Sequence, residues 1–406
     1  MKAVVAIDSF KGSLSSLQAG NAVREGILRA DPDADVQVLP LADGGEGTVE
    51  ALTFGLGGTL RTANVTGPLG GRVRASYGVL PDGVTAVMEM SAAAGITLLK
   101  AEERDPLSAT TFGVGEMIRD AIAAGCRRFL IGIGGSATND GGAGMLQALG
   151  FGFLNARGGQ VPFGARGLGE LRRISFDGVL PELKDCSFRI ACDVGNPLCG
   201  ERGASVVFAP QKGAAPASIP QMDRWMRDYA VLARSVCPGA DPDCPGSGAA
   251  GGLGFAFRSF LGAVLESGVG IVLEETGLSD AVQSADLVVT GEGRLDAQTV
   301  MGKAPIGVAR IAKEYGRPVI AFSGSVSCDA AVCNDHGIDA FFPILRAPAT
   351  LREAMEPVIA QKNLADTAEQ VFRLFMIKET KSTNYTLTEA NRHEKNENHL
   401  HHRPGQ

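Results

Sequence analysis

Along this chain, apolar residues fall into short β-branched runs, each followed by a glycine-rich polar loop and then by apolar residues at helical spacing. Lys2 to Ile7 reads as a buried strand and DSFKGS as a loop. The next segment reads as a helix that Ser13 can cap, with Leu14, Leu17 and Ile27 on or near its inner face. VQVLPL is a second strand and ends in the loop ADGGEGT, Ala42 to Thr48. The same alternation returns near the other end. DLVVT, Asp286 to Thr290, precedes the loop GEGRLDAQTVMGKAP, Gly291 to Pro305, and an amphipathic helix through Tyr315. RPVIAFSGS, a short helix from Asp329, the strand GIDAFFPI and a closing helix from Leu351 to Phe375 follow. Repeated strand, loop and helix units predict parallel strands whose loops open at the carboxyl edge of the sheet.

The middle of the chain has another texture. TLRTANVTG, RVRASYGVL and VTAVMEMS follow one another closely, which predicts antiparallel pairing. A helix over Leu107 to Ala124, the strand RRFLIGIGG, a glycine-rich loop and SFRIACDVGNPLCG come next. Neither terminal piece has enough strands for a covered sheet, but joined they give about five. The expected fold class is therefore α/β with two domains. A discontinuous doubly wound parallel-sheet domain takes residues 1–62 plus 281–375, and a second α/β domain, 63–280, is inserted into it. The strand near 128–135 fits either sheet. Residues 376–406 carry four of the five histidines and few apolar residues, and are expected to be an unstructured tail. The length of 406 residues also favours two domains over one.

Composition narrows the function. A net charge of −7 and a pI near 5.4 exclude a nucleic-acid binder that relies on a general basic field, while leaving a small anionic substrate open. Eight scattered cysteines without a CxxC pair read as reduced thiols. No signal-like segment and no apolar run of the roughly 18–20 residues needed to span a bilayer occurs, so a cytoplasmic protein is expected. Fifty-four glycines, about twice average usage, point to tight loops that approach ligands or other backbone.

The chemistry lies in four polar glycine loops: DSFKGS, LADGGEGT, GIGGSATNDGGAG and TGEGRLDAQT. Glycines let successive amides converge on an anion, and a helix N-terminus behind them adds its dipole. The motif GxxxxGK[ST] is absent, because Ala297 and Ala304 stand where its first glycine and its hydroxyl residue belong around Lys303. Gly132, Gly134 and Ala137 satisfy GxGxxA, but Asn155 stands where a dinucleotide site needs an acid. Phosphoryl transfer fits what remains. It needs carboxylates for a divalent cation, cations on the phosphate oxygens and an acid to take the acceptor's proton. The candidates are Asp8, Asp43, Asp140, Asp193, Glu292 and Asp296 as carboxylates, and Lys11, Arg294 and Lys303 as cations. A solvated charge or a helix cap is the ordinary role of any one of them. Their placement together at strand ends is what singles them out.

In their order and spacing, DSFKGSLSS, LADGGEGT, GIGGSATNDGGAG, CDVGNPLCG, GGLGFAF and TGEGRLDAQTVMGKAP resemble the type I glycerate kinases, from Met1 to about Phe375. The resemblance implies ATP-dependent phosphorylation of D-glycerate with Mg²⁺, usually to 2-phosphoglycerate, in glyoxylate, glycerate or sugar-acid catabolism. It also implies a site in a cleft between two α/β domains. On this reading Lys11 and Arg294 hold the substrate carboxylate, with Ser9, Glu292 and Gln298 beside them. Gly134, Gly135, Ser136, Asn139 and Lys303 meet ATP. Asp193 or Asp296 accepts the hydroxyl proton, and Asp43, Asp140 or Asp193 meets the metal. The competing readings are a kinase for another small hydroxy acid and a sugar-acid sensor without catalysis.

Overall fold

The computed structural model describes residues 1–42, 44–45 and 47–377. Its strands, in chain order, are β1 (Lys2–Ile7), β2 (Asp35–Pro40), β3 (Thr59–Thr66), β4 (Arg72–Val79), β5 (Thr85–Glu89) and β6 (Arg128–Gly132). They continue with β7 (Gly152–Leu154), β8 (Arg173–Ser175), β9 (Ser187–Ala191), β10 (Val264–Glu266), β11 (Leu287–Leu295), β12 (Val319–Val326) and β13 (Ala340–Pro343). The chain is α/β, and it divides into two compact units. One comprises Met1–Leu39, Asp280–Val300 and the chain from Ala309 on; the other comprises Pro40–Ser279 and Met301–Val308.

The first unit is built on a five-stranded sheet in the order β13-β12-β11-β1-β2. Its pairs β1–β11, β11–β12 and β12–β13 are parallel. The run KAVVAI is buried from Ala3 to Ile7, as expected of a strand covered on both faces. The helix Ser16–Ala30 packs its small and apolar residues Ala19, Ala22, Val23 and Ile27 into the same core as Leu287, Val289 and Phe322. Its cap is Ser15 rather than Ser13. The Ser15 side chain accepts from the Gln18 amide while Gln18 reaches back, a reciprocal box that Ser13 cannot form because its amide closes a turn onto Phe10.

Three further segments differ from expectation. β11 runs on to Leu295, so GEGRL is strand rather than loop; the ladder to β12 pairs Glu292 with Ser323 and Arg294 with Ser325. The extension depends on Gly291, whose φ is +155° and where a Cβ would stand 1.9 Å from the Phe322 carbonyl oxygen. The closing helix is not continuous from Leu351. A short helix, Leu351–Ala354, ends before Pro357, and a second spans 357–377, because the residue preceding a proline avoids the helical region. The expected tail therefore begins two residues inside a helix, and from 378 on it lies outside the described residues.

The second unit is built on a six-stranded sheet in the order β10-β9-β6-β5-β4-β3. β10, β9, β6 and β5 run parallel to one another, and the β5–β4 and β4–β3 pairs are antiparallel. The strand at 128–132 thus belongs to this sheet. The stretch 40–62, expected in the first domain, groups with this unit, because the helix Thr48–Gly55 packs on β3, β4 and β5. A small antiparallel pair, β7–β8, lies apart. The helix expected from Leu107 begins at Phe112, since Thr110 and Thr111 turn their hydroxyls and the Thr111 amide toward Asp140 instead. The core gathers Phe129, Phe151, Phe153, Tyr229, Phe255 and Phe257, with Phe129 stacked on Phe188 at 4.8 Å between ring centroids. Among the described residues, no helix is long and apolar enough to cross a membrane.

Candidate functional site

Three parallel strands of the second unit end side by side, β6 at Gly132, β9 at Ala191 and β10 at Glu266. Beyond their carboxyl ends opens a pocket of about 970 Å³. The loops after those strands line it: Ile133–Ser136, Cys192–Gly195 and Ser267 with Val269. Ligands of open α/β sheets sit in this position because strand ends release backbone amides there, and helix N-termini follow.

The loop after β6 forms the floor. A Cβ built on Gly134 would meet no protein atom within 4 Å, so this backbone borders open pocket space. Gly135 has φ +70°, a conformation that side-chain-bearing residues adopt at a cost. The loop is tied down on one side by Ile96, whose amide donates to the Gly135 carbonyl at 2.8 Å, and by Ala137, whose amide donates to Ala94. Behind it, Gly251 and Gly252 are both left-handed, and Cβ atoms there would overlap the Thr138 carbonyl and Gly141 Cα. The glycines of GGLGFAF therefore let its backbone approach the loop after β6 closely. Gly44 and Gly45 also line the pocket, Gly44 so close that a Cβ would reach Gly268 Cα at 2.6 Å.

Asp193 lines the pocket and accepts from the Gly268 amide at 3.1 Å, at the first turn of the helix Gly268–Glu275. Glu266 also lines it, but Arg189 grips both its oxygens, at 2.7 and 2.9 Å, and holds that carboxyl below its usual range. Lys303 reaches the lining from the segment Met301–Val308, together with Met301 and Gly302.

Two candidates lie elsewhere. Asp140 is 1% exposed and outside the lining. Its carboxylate accepts from the Thr111 amide and hydroxyl, at 2.8 and 2.9 Å, and from the Gly142 and Gly144 amides. Burial pushes its pKa up and those donors oppose the shift. These contacts commit it to holding the loop to the segment before Phe112. Asn139 is fully buried and donates to the Ser205 hydroxyl at 2.9 Å, away from the lining. Asp43 and Glu46 lie outside the described residues.

Lys212 was not anticipated. It lies in APQKGA at the end of the short turn Pro210–Lys212, it is 2% exposed, and it lines the pocket. Its ammonium donates to Ser136 Oγ and to the Thr138 carbonyl, both at 2.7 Å. Burial pushes its pKa down to about 7, opposed by the charge of Asp140. Nothing in APQKGA marks this lysine, since a lysine beside a glycine is ordinarily a solvated turn residue.

The remaining candidates stand in the first unit, at the carboxyl edge of its sheet. The loop after β1 brings Asp8, Ser9 and Lys11 beside the end of β11, with the Asp8 amide donating to the Gly291 carbonyl at 2.9 Å. Asp8 accepts from the Ser9 amide at 2.6 Å. Glu292 is buried and accepts from the Thr299 hydroxyl at 2.6 Å. Arg294 is mostly exposed and pairs with Asp296, Nε to Oδ2, at 3.3 Å. Asp296 also accepts from the Gln298 amide at 2.9 Å, which closes the turn into the helical turn Thr299–Met301. The run Gly291–Pro305, a single equipped loop in the sequence, is thus shared: Glu292, Arg294, Asp296 and Gln298 belong to the first unit and Lys303 to the pocket of the second. Among the described residues, no group of three or more His, Cys, Asp or Glu side chains converges on a metal position.

Comparison with known proteins agrees over nearly the whole chain. The model of the glycerate kinase family matches residues 3–376. Glycerate 2-kinase of Escherichia coli (strain K12) is 48% identical over 372 residues, covering 90% of this chain and 98% of that protein. Glycerate kinase of Bacillus subtilis (strain 168) is 48% identical over 356 residues, covering 88% and 93%. The crystal structure of a protein described as glycerate kinase 2 from Salmonella typhimurium LT2 superposes with a TM-score of 0.87 at 45% identity, covering 94% of this chain and 99% of that one.

Proposed function

The chain belongs to the glycerate kinase family, and from that premise we propose that it transfers the γ-phosphoryl group of ATP to the 2-hydroxyl of D-glycerate, releasing ADP, 2-phosphoglycerate and a proton. The observation that carries this reading is the glycine-lined pocket at the ends of β6, β9 and β10, in a chain matched to that family from residue 3 to 376. Gly134, Gly135 and Ser136 cradle the ATP phosphates, and Lys303 meets the charge in transfer. Little covalent chemistry falls to the protein in phosphoryl transfer, so positioning and charge supply most of the acceleration.

Arg294 and Lys11 hold the glycerate carboxylate, with Ser9, Glu292 and Gln298 around them. Asp296, already paired with Arg294, accepts the hydroxyl proton. Mg²⁺ is held through few protein contacts when substrate phosphates supply the rest. Asp193, an acid lining the pocket beside the glycine loop, fits that need, whereas Asp140 does not, its oxygens being committed to backbone and threonine donors. When bound, the cation neutralises charge on the phosphate oxygens. The expected compartment is the cytoplasm.

ADP release coupled to a panel of small hydroxy acids tests the reading, with D-glycerate expected to be turned over best; identification of the product separates the 2- from the 3-phosphate. Another acid turned over better, or tight binding without ADP release, would reject it. Arg294→Ala and Asp296→Asn should each lower turnover by about 100-fold or more with the fold intact by circular dichroism. Near-normal turnover in both would remove this strand end from the chemistry.

A further inference from the structure

Four observations meet at Lys212. It is a lysine, 2% exposed, in the wall of the pocket. Its ammonium donates to Ser136 Oγ at 2.7 Å, and Ser136 belongs to the loop that borders open pocket space. A second N–H holds the Thr138 carbonyl, two residues further along the same loop. Gly213, which ends the turn carrying Lys212, is left-handed at φ +95° and packed so closely on the Arg104 carbonyl that a Cβ would stand 2.3 Å away, so the lysine's base is rigid. A cation is expensive to enclose in this way, by several kcal/mol, unless its setting uses the charge.

We propose that Lys212 is the positioning residue of the phosphate loop: it fixes Ser136 Oγ as an acceptor, so that the Ser136 hydroxyl proton points to a polyphosphate oxygen in the pocket. An ammonium has three donors and no acceptor, so Ser136 must accept from it, and its own O–H is then left to donate elsewhere. The same ammonium sets the spacing between Ser136 and Thr138, and with it the direction of the loop amides. Lys212 thus acts through Ser136 and through the loop. The proposal rests on reading this pocket as the ATP-phosphate site.

The charged group facing Lys212 is Asp140, buried in the same interior. Arg104 donates to the carbonyl of Gln211, the residue before Lys212, and the Tyr229 phenol, which feels the charge of Asp140, is kept neutral by burial. With its pKa pushed down to about 7, Lys212 carries its proton below that pH and sheds it above. A polyanion brought beside the loop favours the protonated form. ATP affinity should therefore fall as pH rises through about 7 and above.

The experiment compares wild type, Lys212→Met, Ser136→Ala and the double variant of the full chain. ATP binding is measured by calorimetry, and kcat and KM are measured separately for ATP and D-glycerate from pH 6 to 9. The expected results are a loss in kcat/KM for ATP of about 100-fold in Lys212→Met and about 10-fold in Ser136→Ala, with KM for glycerate within about twofold. The double variant should be no worse than Lys212→Met, because Lys212 acts through Ser136 and the loop that carries it. The fall in ATP affinity through pH 7 should be missing from Lys212→Met; the ionisation of ATP itself is common to both proteins and cancels in the comparison. Losses that multiply in the double variant, or a pH profile unchanged by Lys212→Met, would overturn the proposal. If Lys212→Met does not fold, Ser136→Ala decides, and ATP binding within twofold of wild type overturns it. The two readings fail differently. Wild type that binds ATP but phosphorylates no hydroxy acid rejects the proposed reaction, while the calorimetric losses still support Lys212; wild type that binds no ATP rejects both.

Discussion

Asp140 and Lys212 are an acid and a base enclosed within one interior, and each is held by a different means. The carboxylate collects backbone and hydroxyl donors from two segments, and the ammonium collects two acceptors from the loop between them. Breaking such a set leaves buried donors unmatched, which costs more than any one bond contributes. Asp140→Asn places an NH2 group, in either orientation, against backbone amides that now donate to the carboxylate, and should lower stability by about 2–4 kcal/mol. The urea midpoint of unfolding checks this, and an unchanged midpoint would mean that the carboxylate is not the clasp described. Sequence proposed Asp140 for a metal because an acid after a strand-end glycine loop can serve either role. Which role it takes depends on donors from residues 110 and 111, far along the chain. A larger separation hides Lys212, whose partners Ser136 and Thr138 lie 76 and 74 residues before it.

At the scale of elements, more was legible. Each β-branched run quoted from the sequence is a strand, and three of the four glycine loops lie at strand carboxyl ends, as the parallel pattern required, while the glycines of TGEGRLDAQT lie inside β11. Boundaries moved where a remote partner intervened: β11 lengthens because β12 pairs with it through Leu295, and the helix at Phe112 starts late because Asp140 captures Thr111. The loop after β6 offers a direct test of what its glycines do. Gly134 lies outside the left-handed region and has no protein atom near its missing Cβ, so Gly134→Ala should leave the melting temperature unchanged. It should raise KM for ATP by about tenfold or more, through a methyl group placed where a phosphate would lie. A normal KM for ATP would show that the ligand does not approach this backbone.

For the whole molecule, the two compact units divide the candidate chemistry, with the glycine-lined pocket in one and the Arg294–Asp296 strand end in the other. The family match ends at residue 376. Removal of residues 378–406 should therefore leave kcat, KM and melting temperature within error, and a drop in any of them would give the extension a role. What the sequence determined by itself is everything carried by local pattern: the α/β class, the parallel and antiparallel strand runs, three of the four glycine loops at strand ends, and motifs specific enough to indicate a glycerate kinase. What only the tertiary structure decided is which side chains share an interior. It assigned β6 to the six-stranded sheet, divided Gly291–Pro305 between two units, withdrew Asp140 and Asn139 from the pocket wall and brought Lys212 to it. The reason is physical. Backbone conformation and hydrophobic period are set within a few residues, whereas burial, hydrogen-bond partnership and the pKa shifts they cause depend on segments that only the folded chain brings together.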